Sequence, residues 1–495
     1  MRVTNGMMIS NSMNNINTNK QLMSIYENQQ ATEKKIMRPS DDPVIAIRAL
    51  KYRTSLNEIS QYVDKNIPDA ESWISTTQGA LNNISEMFTD IFQYCNQGST
   101  DSFKTDNRES IIDSLQKLKD SIYGEGNVDF AGRYVFTGYK TDKTLIFQSD
   151  DASLKYSITQ NFKGTDIEKF TYTTNKVDVN NITDLTSSVP DGKDVYLIKF
   201  AYNDTDDKLP TFTYTDANGA VQTVKITAAT QANNAYETVL NANGAKVSYD
   251  AKVSYDAVNG QLVMNEAAYK QYIEQDNMTI TYEKTGFNKG EVRPEHYFKC
   301  SDITDAANPK DYNVNAVSQD IYYNINYGQT LKVNTQANES IDIYIGRTIQ
   351  DMQNTLSTLK TAEGKVSKLK SMINSGTYTG NDLDNLNSML EAANMEVDYA
   401  KKNVQTVFSQ SNTKMKGYQK TVELGLSELG SRDSRLSLVK ARLKEQQNNI
   451  KELQSKNEDV ELEEAVINLA QAHMVYNASL NAASKIVQQS LVDFI

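Results

Sequence analysis

Apolar residues recur in steps of three and four through the first 144 or so residues, a period that predicts helices. Ile9, Met13, Ile16 and Met23 lie at spacings of four, three and seven, as one face of an amphipathic helix requires. The proline-bracketed stretch Pro39-Ser40-Asp41-Asp42-Pro43 interrupts the pattern, which resumes through Ile45, Ala49, Tyr52, Leu56, Ile59 and Val63. Ala70, Ile74, Thr77, Leu81, Ile84, Phe88 and Ile91 repeat it again, with Pro68 between the runs as a kink or a short break. If Pro68 only kinks the chain, residues 45–91 form a rod of about 70 Å at 1.5 Å rise per residue. A shorter helix carries Ile111, Leu115, Leu118 and Ile122 on one face, and "GEGNVDFAGRYVFTGYKT" reads as a short hairpin.

From about residue 340 the helical period returns. Ile345, Ile349, Met352, Leu356 and Leu359 form one run, resumed by Val366, Leu369 and Ile373. "NSGTYTGND" reads as a loop, and Asp382 is the candidate cap for a helix carrying Leu383, Leu386, Leu390, Ala393, Val397, Ala400, Val404 and Val407. Leu436, Val439, Leu443, Ile450, Leu453 and Val460 then keep a heptad seam, with Gln446 and Asn457 as its polar members. The seam shifts register to Leu462, Val466, Leu469, His473, Tyr476, Leu480, Ala483 and Val487. A repeat of 3.5 residues predicts coiled-coil packing against partner helices.

Between these zones, over roughly 145–338, short alternating runs rich in Thr, Tyr and Val predict strands. "VYLIKFAY" (195–202) is a buried strand, and "FTYTDANGAVQTVKI" (212–226) and "SYDAVNGQLVM" (254–264) are strand–turn–strand units. "MTITYEK" (278–284) is a further strand, and the tandem "AKVSYDAKVSYD" (245–256) reads as a lengthened hairpin or loop. Three domains are therefore expected. Residues 1–40 with 455–495 form terminal coiled-coil segments, 41–144 with 340–454 a helical bundle, and 145–339 an inserted β-rich domain. The fold class is mainly α with an inserted β domain, its long-helix bundle built discontinuously from both chain ends.

Composition narrows the functions. With 63 acidic against 51 basic residues, a phosphate-binding surface is disfavoured and no nucleic-acid partner is expected. No stretch approaches the roughly 18–20 apolar residues of a membrane span, and the N-terminus lacks a cleavable signal's apolar core, so no membrane insertion is expected. A cytosolic protein and one exported with its start uncleaved are both compatible with this. Cys95 and Cys300 lie in zones of different character and suggest neither a disulfide framework nor a zinc site.

Asp41 and Asp42 could be an acid/base or metal-binding pair. The capping reading fits the order of residues better: Pro39 stops one helix, Asp42 caps the next, and Pro43 takes its first position, where a missing N–H costs nothing. His296, four residues before Cys300, has no second ligand pair nearby, and His473 falls on the helical seam. There is no glycine-rich phosphate loop and no nucleophile motif. No catalytic, cofactor-binding or metal site is expected, and no cofactor. The one-sided stripes at both termini are the informative feature. A lone helix of this kind is marginal in water, so the ends should be disordered or loosely paired, with each other or with neighbouring subunits.

The blocks "MRVTNGMM", "RPSDDPVIAIRAL" and "GRYVFTGYKT" (132–141), with "LGSRDSRL" (429–436) and "EDVELEEAVINLAQAHMVYNASLNAASKIVQQSLVDFI" (458–495), resemble the flagellin-like family of bacterial flagellar proteins, in its junction-protein branch. The resemblance covers about the first 140 and last 70 residues. It implies a structural role: export through the flagellar type III channel, then a place between hook and filament. The terminal segments would be the axial core, the β domain would face outward, and Ile9, Met13, Ile16, Met23, Leu462, Val466, Leu469, Tyr476, Leu480 and Val487 would form an intersubunit seam. The implied partners are flagellin, another hook-associated protein, copies of the chain in a ring and an export chaperone. Flagellin itself is the alternative, although flagellins usually carry a Ser-x-x-Asp-Asp-Ala-Ala-Gly type of junction where this chain has Pro39 to Pro43. An enzyme housed in the β domain is a remote third reading.

Overall fold

A computed structural model of the chain describes residues 5–100, 103–182, 189–216, 218–229, 234–240, 251–313 and 318–488. The chain forms two compact units. One, the terminal unit, comprises Met1–Glu71, Tyr323–Leu331 and Ser434–Ile495; the other, the central unit, comprises Ser72–Tyr322 and Lys332–Asp433. The fold is mainly helical with an inserted β-rich region between helical segments drawn from both ends of the chain.

The helices are α1 (Asn5–Thr32), α2 (Pro43–Gln61), α3 (Ile67–Ser99), α4 (Thr105–Glu125), the short α5 (Ala235–Leu240), α6 (Glu266–Tyr272) and α7 (Ala337–Ser340), then α8 (Tyr344–Asn374), α9 (Asn381–Glu458) and α10 (Leu462–Gln488). Between α2 and α3 the residues Tyr62–Asn66 form a π-turn, in which the Ile67 N–H donates to Tyr62 O. Pro68 explains it. A proline lacks the N–H that the carbonyl four residues back would accept, and a widened turn accommodates that loss without ending the helix.

Several boundaries differ from the sequence reading. Pro39 does not stop the first helix: α1 ends at Thr32, where Glu33 takes a left-handed φ of 57°. Asp382 lies in the first turn of α9, not at its cap. The runs read as separate helices from 383 onward are one helix of 78 residues. In it Gln447, not Gln446, is the buried polar member of the seam, because the true contact face has drifted by one position.

The strands are β1 (Asp129–Phe130), β2 (Arg133–Tyr134), β3 (Asp151–Phe162), β4 (Glu168–Thr174), β5 (Asp191–Lys199), β6 (Thr211–Thr215), β7 (Val221–Val224), β8 (Ile226–Ala228), β9 (Val253–Asp256), β10 (Gln261–Met264), β11 (Met278–Phe287), β12 (Lys299–Asp302), β13 (Lys310–Asn313), β14 (Tyr322–Asn326) and β15 (Gln329–Lys332). Two sheets dominate, in the orders β4-β5-β10-β9-β8 and β13-β12-β3-β11-β6-β7. The expected strand–turn–strand units are the antiparallel pairs β6/β7 and β9/β10, with Gly219 and Gly260 at φ of 82° and 54° supplying the left-handed turn positions. The first copy of the tandem hexapeptide lies outside the described residues; the second contains β9.

Phe200, fully buried, ties the sheets together: its ring stacks on Tyr282 of β11 at 4.5 Å and lies 6.2 Å from Tyr255 of β9. The buried Gln160 of β3 accepts from Tyr282 O–H (2.8 Å) and Ala201 N–H (3.1 Å) and donates to Tyr344 of α8 (3.0 Å). An ion network seats the same region on the helices. Lys199 of β5 lies 2.7 Å from Asp351 of α8 and 3.1 Å from Glu168 of β4, which also pairs with Lys414 of α9. Within the bundle of this unit, Ile111, Leu115 and Ile122 of α4 are buried while Leu118 is only half-buried, and Tyr123 O–H donates to Ile343 O at 2.8 Å.

Candidate assembly surfaces

In the terminal unit α1 and α10 pair antiparallel, as bonds from Asn19 to Ser479 and from Lys34 to Asp459 show. The inward face of α1 is made by Ile9, Ser12, Ile16, Asn19, Met23, Tyr26 and Gln29, each half-buried. That of α10 is Ala465, Asn468, Leu469, Ala472, Tyr476, Ser479 and Ala483, of which only Ala465 is buried. Both sets step by threes and fours. Apolar residues alternate with small and polar ones on the covered stripe, and further large apolar residues lie beside it in solvent.

The expected seam is therefore split. Ile9, Ile16, Met23, Leu469 and Tyr476 lie on the intramolecular contact, whereas Met13, Leu462, Val466 and Leu480 are exposed; the Val487 backbone is in α10, and its side chain lies outside the described set. Met7, Met8, Leu22 and Ile25 of α1 and Ile467, Met474 and Val475 of α10 join the exposed group. Charge is nearly absent here. Lys20 and Glu27 are the only charged residues of α1, and from Ala465 to Ser484 α10 has none apart from the titratable His473. Ordinary solvent-facing helix surfaces carry far more, while interface cores are depleted of charge.

The junction after α1 is held by main chain as much as side chain. The Lys35 N–H donates to Glu458 O at 2.7 Å, and the Val460 N–H to Glu33 O at 3.0 Å. Asp41 Oδ2 accepts from the N–H groups of Met37 (3.1 Å) and Arg38 (2.8 Å). Asp42 Oδ1 accepts from those of Val44 (2.9 Å) and Ile45 (3.1 Å), with Pro43 at the first helical position. Pro39 and the exposed Ser40 fall in the intervening turn. Each carboxylate thus stabilises a backbone bend. The buried Glu458 receives Arg53 through Nε (3.2 Å) and a guanidinium NH2 group (2.6 Å), while Asn457 Nδ2 donates to Ile45 O and Gln447 to Ser60. These pairs were not anticipated: their partners lie roughly 400 residues apart in sequence.

A second exposed stripe was also missed. On α2, Val44, Ile47 and Leu50 are 56, 56 and 61% exposed. The sequence signal was available, since they step by threes along a stripe that flanks the face of the buried Ala46 and Ala49.

The other candidates are structural. His296 is buried, and burial pushes its imidazole down to about 3, so it is neutral; Nε2 lies 3.2 Å from Thr144 O. His473 is exposed on α10. Both thiols are buried, which raises Cys95 to about 12 and Cys300 likewise upward. Among the described residues no group of three or more His, Cys, Asp or Glu is placed to hold a metal ion, and no helix is long and apolar enough to cross a membrane. Within "GRYVFTGYKT" the Arg133 guanidinium lies 5.0 Å above the Trp73 ring, and Val135 and Phe136 are buried, so the block packs onto the bundle.

Both ends of the chain match known helical regions: residues 3–141 the bacterial flagellin N-terminal helical region, and 413–495 the bacterial flagellin C-terminal helical region. At both of its ends the chain is similar to the flagellin class of proteins. Within that class it is similar to flagellar hook-associated protein 3, at 30% identity to the Escherichia coli (strain K12) protein over 29% of this chain and 45% of that one. The Salmonella typhimurium protein of the same name is 28% identical over 41% of this chain and 65% of its own length. A flagellin of Clostridium tyrobutyricum is 27% identical over 32% of this chain and 42% of that one. The chain thus spans less than two thirds of each of these relatives. A solved flagellar junction protein of Legionella pneumophila overlaps 79% of this chain and 99% of its own at 12% identity and a TM-score of 0.29, a likeness too loose to carry argument. These relatives are named as flagellar components, and none of the names is that of an enzyme.

Proposed function

We propose that this chain is a structural component of the bacterial flagellum, a junction protein that joins the hook, by way of another hook-associated protein, to the flagellin filament. It reaches that site by type III export, aided by a chaperone, and is not an enzyme. Residues 1–40 and 455–495 serve as axial core, 41–144 with 340–454 as the helical domain around it, and 145–339 as the outer domain. Copies of the chain form a ring, closed through the outward apolar residues of the terminal helices, Met13, Leu462, Val466 and Leu480 among them. The observation that carries this reading is the charge-poor α1–α10 pair, which covers only one stripe of each helix. Such a surface is stable in water only when other chains complete it.

A strain lacking this chain tests the proposal: hooks remain, filaments are absent, and flagellin escapes into the medium. Filaments of normal length in that strain would refute it. The second reading, flagellin itself, is favoured by the match to the Clostridium tyrobutyricum protein. It predicts that the purified chain elongates filaments by itself, whereas a junction protein adds to their ends without extending them.

A further inference from the structure

Resting on the assembly reading above, we propose that two different faces of the terminal unit meet across copies of this chain: the basic apolar stripe of α2 in one copy against the acidic apolar start of α10 in the next. On α2 the exposed Val44, Ile47 and Leu50 lie beside Arg48 and Lys51, which are exposed and have no ion-pair partner among the described residues. On α10 the exposed Val466 and Ile467 lie beside Glu463 and Glu464, likewise exposed and likewise without an ion-pair partner there. Glutamates in a first turn favour the helix dipole by themselves. That leaves the apolar residues next to them unexplained, and the matching cations on α2 as well.

Charge selects the occupant. Two α2 stripes brought together would place Arg48 and Lys51 against their own copies, and two α10 starts would oppose Glu463 and Glu464 in the same way; like charges disfavour both arrangements. The mixed contact pairs opposite signs over two apolar patches. Because its two faces differ, it is head-to-tail, so each added copy presents a fresh face and the contact propagates into a ring or helix.

Single cysteine substitutions in the full chain test this directly, because the native Cys95 and Cys300 are buried and contribute little background. An equimolar mixture of Ile47→Cys and Ile467→Cys chains, concentrated until the wild type sediments as oligomers and then mildly oxidised, yields a disulfide-linked dimer. Neither variant alone does. Efficient cross-linking of Ile47→Cys with itself would overturn the proposal, as would an unlinked mixture under conditions where oligomers form; the assembly reading would survive both. A chain that never associates, with itself or with filament ends, overturns both together. As a second arm, Arg48→Glu with Lys51→Glu, or Glu463→Lys with Glu464→Lys, weakens association by about tenfold or more. Mixing the two charge-reversed chains restores it, because every contact of an alternating assembly, reversed or unaltered, again joins opposite signs, and failure of that rescue with folded variants refutes the pairing.

Discussion

The two sheets of the central unit and the α1–α10 pair of the terminal unit bury their side chains to different depths. In the sheets Phe200, Phe212, Ile198, Ile280 and Leu262 have no exposed surface at all. Along the described side chains of α1 and α10 only Ala465 is buried. Charge divides the same way: the terminal unit holds 16 basic and 16 acidic residues, whereas the central unit holds 35 against 47 and so accounts for the whole net charge of −12. On the assembly proposed above, a neutral unit with uncovered apolar residues lets like copies approach, whereas the net negative charge of the central unit opposes close contact between copies there. The central unit closes its core, whereas the terminal helices leave large apolar residues in solvent.

The largest expected test of that contrast is a pair of truncations. Phe200→Ala lowers the unfolding free energy by about 3–5 kcal/mol, the cost of a core cavity, while Met474→Ala changes the free monomer by less than about 0.5 kcal/mol. Thermal or urea melts of both variants decide it, and a comparable loss at Met474 would break the comparison.

The ion network gives the next effect. Burial by itself would raise the Asp351 carboxyl, but Lys199 and then Arg347 outweigh burial and hold it below the usual carboxylate range. Glu168 is likewise pushed up by burial and brought down further by Lys199 and Lys414. A carboxyl depressed in the folded state contributes stability that is full above its unfolded pKa, about 4, and is lost as pH falls through the folded value. Asp351→Asn costs about 3 kcal/mol at neutral pH, because it strands buried cations. It also flattens the acid limb of a stability–pH curve measured by urea melts from pH 7 to 3. An unchanged limb would remove the network from the account.

Amide exchange in a dilute monomer sharpens the contrast residue by residue. Amides of α1 and α10 exchange at least roughly a hundredfold faster than those of β3 and β11, since a half-covered helix pair opens without disturbing a closed core. Equal protection would mean that the terminal helices need no partner. The smallest effect belongs to the junction: Asp42→Ala loses the two N–H bonds at the start of α2 and costs about 1 kcal/mol.

Much of this arrangement was legible along the chain. The steps of three and four located α1 through α4 and α8 through α10, and the alternating runs located β5, β6, β9, β10 and β11, because side-chain direction follows backbone period wherever one face is covered. The order Asp42-Pro43 before an apolar run carried its own capping chemistry. Pro39 misled because a proline is only one way to end a helix; here Glu33 and the main-chain bonds to Glu458 and Val460 do so seven residues earlier.

What the sequence determined unaided was local: the helical and strand segments, the caps and turns, the scarcity of charge in the terminal helices, and the likeness of both ends to flagellins. Tertiary structure alone decided which residues of each stripe are covered. Ala465 rather than Leu462 faces α1, Gln447 rather than Gln446 meets Ser60, and Glu168, Lys199, Asp351 and Lys414 converge from four elements. Period depends on neighbours a few residues away, whereas coverage depends on segments hundreds of residues apart, and a helix face offset by one position reads almost the same in sequence.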